Sequence, residues 1–166
     1  ALPISDGETD CQVSQVEVRH ASAERHIDAH RQWLKTSHTV TAKTGAELWE
    51  KRAELYPHLQ FLPRVEDDLR ALDPFSVAVV QRRLTELEEA VAEWDPEGGG
   101  RPRWRGYVRG EFETRKQQCA FTDLDGEERL FYLHTDFPPK PGRLHFRLVP
   151  EEKAVRVAYI GRKLGV

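Results

Sequence analysis

The chain has few cysteines and no long apolar run. Two cysteines, Cys11 and Cys119, occur among 166 residues, without CxxC spacing. This excludes a cysteine-rich zinc module and a disulfide framework, so we expect reduced thiols. No apolar run approaches the ~18 residues of a membrane span, and the first residues lack the basic-then-apolar order of a signal peptide. We therefore expect a cytoplasmic protein with no membrane partner.

Several catalytic motifs are also missing. The sequence has no glycine-rich phosphate loop, no HExxH and no GxSxG, which leaves nucleotide hydrolysis, zincin and α/β-hydrolase chemistry unsupported. His26 and His30 are one helical turn apart, as metal ligands can be, but no third ligand follows at a recognisable interval. We therefore expect no metal and no cofactor.

Charge is unevenly divided along the chain. The net charge is -3, but residues 1–100 carry 11 Lys and Arg against 19 Asp and Glu, whereas residues 101–166 carry 14 against 9. A basic C-terminal part on an acidic chain suggests that this part binds an anion. The acidic total nevertheless differs from the strongly basic charge of proteins that bind nucleic acid chiefly by electrostatics.

Hydrophobic periodicity predicts helices in the first 100 residues. Apolar residues recur at helical spacing in residues 21–34, and Thr44 can cap a second helix. A short strand is predicted at 59–62 and a short helix at 65–72. The longest predicted helix is 75–94, where apolar residues recur every three or four positions. This stripe consists of Val77, Val80, Leu84, Leu87, Val91 and Trp94.

Beyond a glycine-rich connector at residues 97–102, the hydrophobic period changes from helical to alternating. Alternation predicts antiparallel strands, joined by turns that are rich in Asp, Gly and Pro. N-terminal helices followed by consecutive antiparallel strands predict an α+β fold with an antiparallel β-sheet. The predicted strands are 104–114, 118–122, 129–135, 143–149 and 154–160.

The last two predicted strands, which form a hairpin, carry the most informative pattern. Side chains alternate along a strand, so Arg143, His145 and Arg147 share one face, while Leu144 and Phe146 share the other. Arginine offers planar bidentate donors to phosphate, and histidine can move a proton near neutral pH. The pattern therefore points to a phosphate-bearing ligand such as nucleic acid. The alternative is that these charges form the solvated face of a two-sided sheet.

A second group of arginines lies in residues 101–109. Arg103 and Arg105 flank Trp104, and Tyr107 follows. This order is typical of single-strand nucleic-acid binding, in which rings stack on bases and guanidinium groups bind phosphates. The alternative is a basic loop that pairs with acidic side chains of the preceding long helix. Those acidic residues are Glu86, Glu88, Glu89 and Glu93.

One motif spans the last two predicted strands. It reads Gly142-Arg143-Leu144-x-Phe146-x-Leu148, then Val155-x-Val157, then Ile160-Gly161-Arg162-Lys163. This motif is similar to the closing strands of the RelE/ParE-like toxin superfamily. The order of a short strand, two helices and an antiparallel meander also resembles that superfamily. The resemblance implies a RelE-like α+β domain at residues 58–166, after an N-terminal helical extension at residues 1–57.

The resemblance implies an endoribonuclease that activates a 2′-hydroxyl of mRNA for attack on the adjacent phosphate. Arg143 then matches the arginine that stabilises the phosphate. Arg162 or Lys163 matches the basic residue after the last strand. These assignments require the basic side of the sheet to face the RNA.

Proton transfer in such an enzyme needs an acid and a base. Where some family members have a terminal Tyr or His, this chain has none, and Tyr159 lies earlier on the strand. His145 or His134 is then the candidate acid, because imidazole titrates near neutral pH. Glu111 or Glu113 is the candidate base.

Two functions from different classes are expected. The first is an RNA-directed, toxin-like endoribonuclease that acts through the basic sheet face, with RNA and an antitoxin as partners. The alternative is a non-catalytic nucleic-acid-binding or protein-interaction module of a larger bacterial assembly, such as a defence system, whose N-terminal helices dock to a partner. The candidate catalytic residues are Arg143, His145, Lys163 and His134, and the candidate nucleic-acid-binding residues are Arg147, Arg156, Arg162, Arg103, Arg105, Trp104 and Tyr107.

Overall fold

The computed structural model describes residues 41–165, so Cys11, the predicted helix at 21–34 and the histidines within that helix lie outside the described residues. Within the described part, the helices are α1 (Gly45–Leu55), α2 (Val65–Arg70) and α3 (Pro74–Ala92), and a 3₁₀ helix spans Glu113–Cys119. None of these helices combines the length and the apolarity that a membrane crossing requires. The strands are β1 (Leu59–Phe61), β2 (Val108–Gly110), β3 (Ala120–Thr122), β4 (Glu128–Leu130), β5 (Leu133–Phe137), β6 (Gly142–Val149) and β7 (Ala154–Arg162).

Side-chain caps fix where two of the helices begin. The hydroxyl of Thr44 accepts a hydrogen bond from the backbone N–H of Glu47 at 3.2 Å, as the sequence predicts for α1. The carboxylate of Asp73 accepts from the N–H of Ser76 at 3.0 Å, and Pro74 occupies the first turn of α3. Both caps satisfy N–H groups that have no partner within their own helix.

The long helix predicted at 75–94 is confirmed over most of its length, but it ends at Ala92, so Trp94 lies beyond it. α3 is continuous, and Leu84 and Val91 are fully buried. An apolar stripe of this width needs an apolar surface to cover it. The main sheet provides that surface through Leu144, Phe146 and Val157, which share one hydrophobic core with the helix.

Five strands form the main sheet, in the order β1-β7-β6-β5-β2. β1 runs parallel to β7, and the other neighbours are antiparallel. The predicted hairpin of the last two strands is confirmed as β6 and β7. β3 and β4 form a separate antiparallel pair. With helices and a mainly antiparallel sheet, the described part of the chain is α+β, as predicted.

A β-bulge interrupts the hairpin of β6 and β7. His145 pairs with Tyr159, and Phe146 pairs with Val157, which leaves Ala158 as the extra residue. Such a bulge bends the strand and shifts the alternation of its side chains by one position. Tyr159 therefore lies opposite His145, where strict alternation along β7 would not place it.

Three predicted strands differ from the structure. Of the stretch 104–114, only β2 is a strand, because residues 104–107 are irregular and the 3₁₀ helix begins at Glu113. The 3₁₀ helix also takes the first two residues of the predicted strand 118–122. The predicted strand 129–135 divides into β4 and β5, which belong to different sheets. Alternation indicates which side of a segment is buried, but not which neighbour it pairs with.

The predicted domain boundary between residues 57 and 58 falls inside one compact unit, which runs from residue 40 to residue 166. Leu48 of α1 and Tyr56 just after it are 0% and 2% exposed. Both belong to the same hydrophobic core as α2, α3 and the main sheet. α1 is thus part of this unit, because its apolar side is buried there.

Candidate functional site

The two sides of the main sheet differ in character. Leu144 and Phe146 of β6 pack in the core on the helix side. The other side carries ionisable side chains. They are contacted by Glu111, Cys119, Asp123 and the carbonyl oxygen of Phe131. We call this side the charged face. Its cationic or titratable members are Arg143, His145 and Arg147 of β6, His134 of β5 and Arg156 of β7.

A buried carboxylate neutralises two arginines of the charged face. The side chain of Asp123 is fully buried and accepts hydrogen bonds from Nε of Arg147 and Nη1 of Arg156, both at 2.8 Å. The backbone N–H of Leu124 donates to the same carboxylate at 2.7 Å. Burial alone would raise the pKa of Asp123, but this N–H and the two guanidinium groups outweigh it and lower the pKa. Asp123 therefore stays ionised between the two arginines.

Glu111 has the same role for Arg143. Its side chain is 4% exposed, its Oε2 accepts a hydrogen bond from Nη1 of Arg143, and its Oε1 lies 3.3 Å from Nε of Arg115. Burial alone would raise the pKa of Glu111, but the nearby cations, Arg143 first among them, lower it. Nε of Arg143 also lies 3.4 Å from Oδ1 of Asp136. The arginine that the family resemblance assigns to phosphate is thus already paired with two carboxylates.

His145 is completely buried in the middle of the charged face. Its Nδ1 lies 3.2 Å from the carbonyl oxygen of Phe131 and donates to it, which leaves the lone pair on Nε2. That Nε2 atom is buried and has no hydrogen-bond partner within residues 41–165. Burial, and after it the nearby His134, lowers the pKa of His145 to about 4. The ring is therefore neutral near pH 7 and has no exposed edge for a substrate.

His134 is also buried and lies beside His145, with ring centroids 5.3 Å apart. Nε of Arg109 donates to Nε2 of His134 at 3.0 Å, so the proton of the neutral ring is on Nδ1. This Nδ1 lies 3.9 Å from Oε2 of Glu111. Burial, followed by the charge of Arg143, lowers the pKa of His134. Both candidate catalytic histidines are thus neutral and enclosed.

Three side chains of the types that bind metals meet in this enclosed region. A carboxylate oxygen of Glu111, the Sγ of Cys119 and a ring nitrogen of His145 lie within 4.8 Å of one another, and all three residues are buried. Burial raises the pKa of the Cys119 thiol. A thiol beside an imidazole also forms the nucleophilic pair of some enzymes, but here burial closes the pair to a substrate. Thiolate, imidazole and carboxylate together are a common set of zinc ligands.

Residues 101–109 present their basic side chains to solvent. Alternate positions are exposed, while Trp104 between them packs edge-on against Phe146 with ring centroids 5.5 Å apart. Tyr107 is 72% exposed, and the guanidinium carbon of Arg109 lies 5.5 Å from the centre of its ring. We call the outward residues the arginine strip. They are Arg101, Arg103, Arg105, Tyr107 and Arg109.

Acidic neighbours contact part of the arginine strip. Arg105 lies 3.2 Å from Glu89 and 2.7 Å from Glu93 of α3, which is the pairing expected as the alternative to nucleic-acid binding. These side chains are 41–63% exposed, and ion pairs this exposed contribute only ~0–1 kcal/mol. Arg101 and Arg103 are exposed and form no ion pair with any residue of the described range.

The other candidate residues near the C-terminus do not join the charged face. Arg162 is exposed and Lys163 is half-buried, and neither side chain bonds to a charged-face residue within 41–165. The hydroxyl of Tyr159 donates to the backbone oxygen of Arg162 at 2.6 Å. Glu113, a candidate base, is 84% exposed and pairs with Lys116. The structure thus brings Arg143, His145 and His134 together without Arg162, Lys163 or Glu113. Tyr159 lies beside them, with its ring centroid 6.0 Å from that of His145.

The cations of the charged face are visible in the sequence, but their counter-ions are not. From the sequence, Asp123 is predicted to be a turn residue and Cys119 an ordinary thiol. Their roles are not predicted, because each is distant in sequence from the strands that it contacts. The sequence gives one indication that counter-ions exist. Residues 101–166 contain nine acidic residues, which is enough to neutralise several arginines. No family model, curated protein or solved structure matches this chain.

Proposed function

We propose that this chain is a non-catalytic module that binds single-stranded RNA along the arginine strip. The observation that carries the proposal is the outward alternation of Arg101, Arg103, Arg105 and Tyr107. Arg109, at the end of the strip, is bound to His134 and to Asp136. Exposed rings offer stacking platforms for bases, and guanidinium groups beside them bind phosphates. Phe112, which is 78% exposed, adds a second ring a few residues after Tyr107.

The state of the charged face favours binding over catalysis. RNA could reach Arg143 or Arg147 only by displacing Glu111 or Asp123, which are buried carboxylates bound to them. A general acid must also come within hydrogen-bond reach of the substrate, whereas His145 is 0% exposed. Endoribonuclease activity would therefore require the charged face to rearrange, whereas RNA binding along the arginine strip requires no rearrangement.

The same proposal includes a fold family, a cellular location and a larger assembly. The order β1, α2, α3 and then a mainly antiparallel sheet supports a RelE/ParE-like fold, together with the motif that ends in Arg162 and Lys163. In this proposal the module acts in the bacterial cytoplasm, as part of a larger assembly such as a defence system. The segment before residue 41 is then the candidate for docking to a protein partner.

Fluorescence anisotropy with a labelled single-stranded RNA tests the proposal. Log K should fall linearly with log salt concentration, because each neutralised phosphate releases counterions. Arg103→Ala should reduce that slope by about 0.7, the value per phosphate on a single strand. Tyr107→Ala should weaken binding by ~1–3 kcal/mol, as loss of one base stack does, which is roughly 5- to 150-fold in Kd.

Two matched control variants remove similar side chains elsewhere on the surface. Arg70 of α2 has a side chain that is 47% exposed, and Phe75 is 61% exposed. Arg70→Ala and Phe75→Ala should leave the affinity and the salt slope unchanged. If all variants lost affinity equally, RNA would bind through diffuse charge, and the arginine strip would not be the binding site.

A cleavage assay distinguishes the competing proposal. The purified chain is incubated with mRNA on assembled ribosomes in a buffer that contains magnesium, and the RNA should remain intact. Cleavage that disappears in His145→Gln, while the variant keeps its fold and its RNA affinity, would replace the binding module with the endoribonuclease.

A further inference from the structure

We propose that Glu111, Cys119 and His145 form a zinc site beneath the 3₁₀ helix, separate from the arginine strip. The three ligand atoms lie within 4.8 Å of one another in a buried position. Zinc takes thiolate sulfur at ~2.3 Å and imidazole nitrogen or carboxylate oxygen at ~2.0–2.2 Å. The three side chains therefore need to move inward by only about an ångström to share one ion. The thiolate favours zinc over magnesium or calcium, which prefer oxygen ligands.

An independent observation comes from the hydrogen bonds of His145. The side chain is 0% exposed, and its buried Nε2 has no partner within residues 41–165. Buried polar atoms in folded proteins almost always have a partner, so an orphaned one calls for an explanation. The other nitrogen, Nδ1, donates to the backbone oxygen of Phe131 at 3.2 Å. Histidines that bind metal typically donate their second N–H in this way, which fixes the tautomer with a free lone pair.

The charges around the cluster allow one divalent cation. Arg143 and Arg115 contact Glu111 and oppose a cation there. The Cys119 thiolate, formed when the thiol releases its proton to solvent on binding, and the Glu111 carboxylate supply the two negative charges that zinc needs. Arg143 then keeps Asp136 as its counter-ion, with Oδ1 3.4 Å from its Nε. His134 stays outside the ligand set, because its Nε2 accepts from an arginine and its Nδ1 carries the proton. Three protein ligands leave one tetrahedral position, which a water molecule fills in such sites.

Metal titration of the full chain tests this proposal. The protein is stripped with a chelator, dialysed, and titrated with zinc against a chromophoric competitor, and we expect one zinc per chain. Cys119→Ser and His145→Gln should each weaken zinc binding by more than ~100-fold, because loss of an outer-shell partner alone costs ~10–100-fold. Cobalt(II) should give a sulfur-to-cobalt charge-transfer band that Cys119→Ser abolishes.

Matched variants control for other thiols and histidines. Cys11→Ser removes the other cysteine of the chain, and His58→Gln removes a partly exposed histidine that pairs with Glu88. Both variants should keep the cobalt band and the zinc affinity. Because zinc binds the folded chain, it should also raise the Tm of the wild type and of Cys11→Ser.

Three results would overturn the site. The wild type could take up no zinc at micromolar free zinc, zinc binding could depend on Cys11 rather than Cys119, or cobalt could bind without a sulfur band. Circular dichroism verifies that each variant is folded. If Cys119→Ser does not fold, the cobalt spectrum of Cys11→Ser decides, because Cys119 is then the one thiol present. None of these outcomes depends on RNA binding.

Discussion

Replacing Asp123 with alanine should destabilise the fold far more than replacing an exposed carboxylate. The Asp123 side chain is 0% exposed, and its partners Arg147 and Arg156 have side chains that are 17% and 6% exposed. Without the carboxylate, the largely buried Arg147 has no counter-ion in the described part of the chain, and Arg156 keeps only Glu152, which is 49% exposed and 3.4 Å away. Removing one partner of a buried pair costs ~3–5 kcal/mol. We expect the free energy of unfolding to fall by ~3–5 kcal/mol, a large share of the ~5–15 kcal/mol of a typical domain.

Urea unfolding followed by circular dichroism measures this change. The midpoint should fall while the m-value stays constant, because the surface exposed on unfolding is unchanged. Asp125→Ala is the matched control, since Asp125 is 46% exposed and pairs with Arg129 at 2.5 Å. Exposed pairs contribute ~0–1 kcal/mol, so the control should lose no more than that. If Asp123→Ala loses no more than Asp125→Ala, buried counter-ions do not hold the charged face together.

The same carboxylate predicts a pH dependence. The pKa of Asp123 is lowered in the folded chain, because the Leu124 N–H and the guanidinium groups outweigh burial, and in an unfolded chain it is ~3.9. Because the pKa of Asp123 is lower in the folded chain than in the unfolded chain, ionised Asp123 stabilises the fold fully above about pH 4. This stabilisation is lost as the pH falls toward the pKa of Asp123 in the folded chain. The stability difference between wild type and Asp123→Asn should therefore be constant from pH 7 to about pH 5 and should shrink below about pH 4. A difference that shrinks already between pH 7 and 5 would contradict this assignment.

Four further substitutions test the core, one close backbone contact and one helix cap by urea unfolding. Leu84→Ala should cost ~2–5 kcal/mol, because Leu84 is 0% exposed, whereas Phe75→Ala, at a 61% exposed position, should cost less than ~1 kcal/mol. Gly45→Ala should cost ~1–3 kcal/mol, because a Cβ built on Gly45 overlaps the backbone oxygen of Leu69. Thr44→Ala should cost ~1 kcal/mol through loss of the N-cap. Equal losses at Leu84 and Phe75, or a stabilising Gly45→Ala, would contradict the packing described above.

The parts of the fold that the sequence predicts are those with a local cause. α3 is predictable because Leu84 and Leu87 recur within a few residues on one side of one helix. The hairpin of β6 and β7 is predictable because alternation and a short turn act over neighbouring residues. The bulge at Ala158 is not predictable, because one extra residue in a strand does not change the composition of that strand recognisably.

The parts of the candidate site that the sequence does not predict depend on distant contacts. Asp123 binds Arg156, which is 33 positions away, and Cys119 meets His145 of β6 across a similar separation in sequence. Arg143, His145 and Arg147 on alternate positions predict an open cationic face as long as their partners are unknown. The arginine strip is easier to predict, because Tyr107 and the arginines lie close together in the sequence and every second residue is exposed.

The position of β7 in the sheet has a consequence for protein synthesis. β7 is the last strand of the described chain, yet it lies between β1 and β6 and pairs with both. While the chain is being translated, β1 and β6 have no neighbour between them until residues 154–162 leave the ribosome. Unpaired strand edges and exposed apolar side chains make such a nascent chain prone to self-association. We therefore expect the main sheet to complete its pairing only after β7 has left the ribosome.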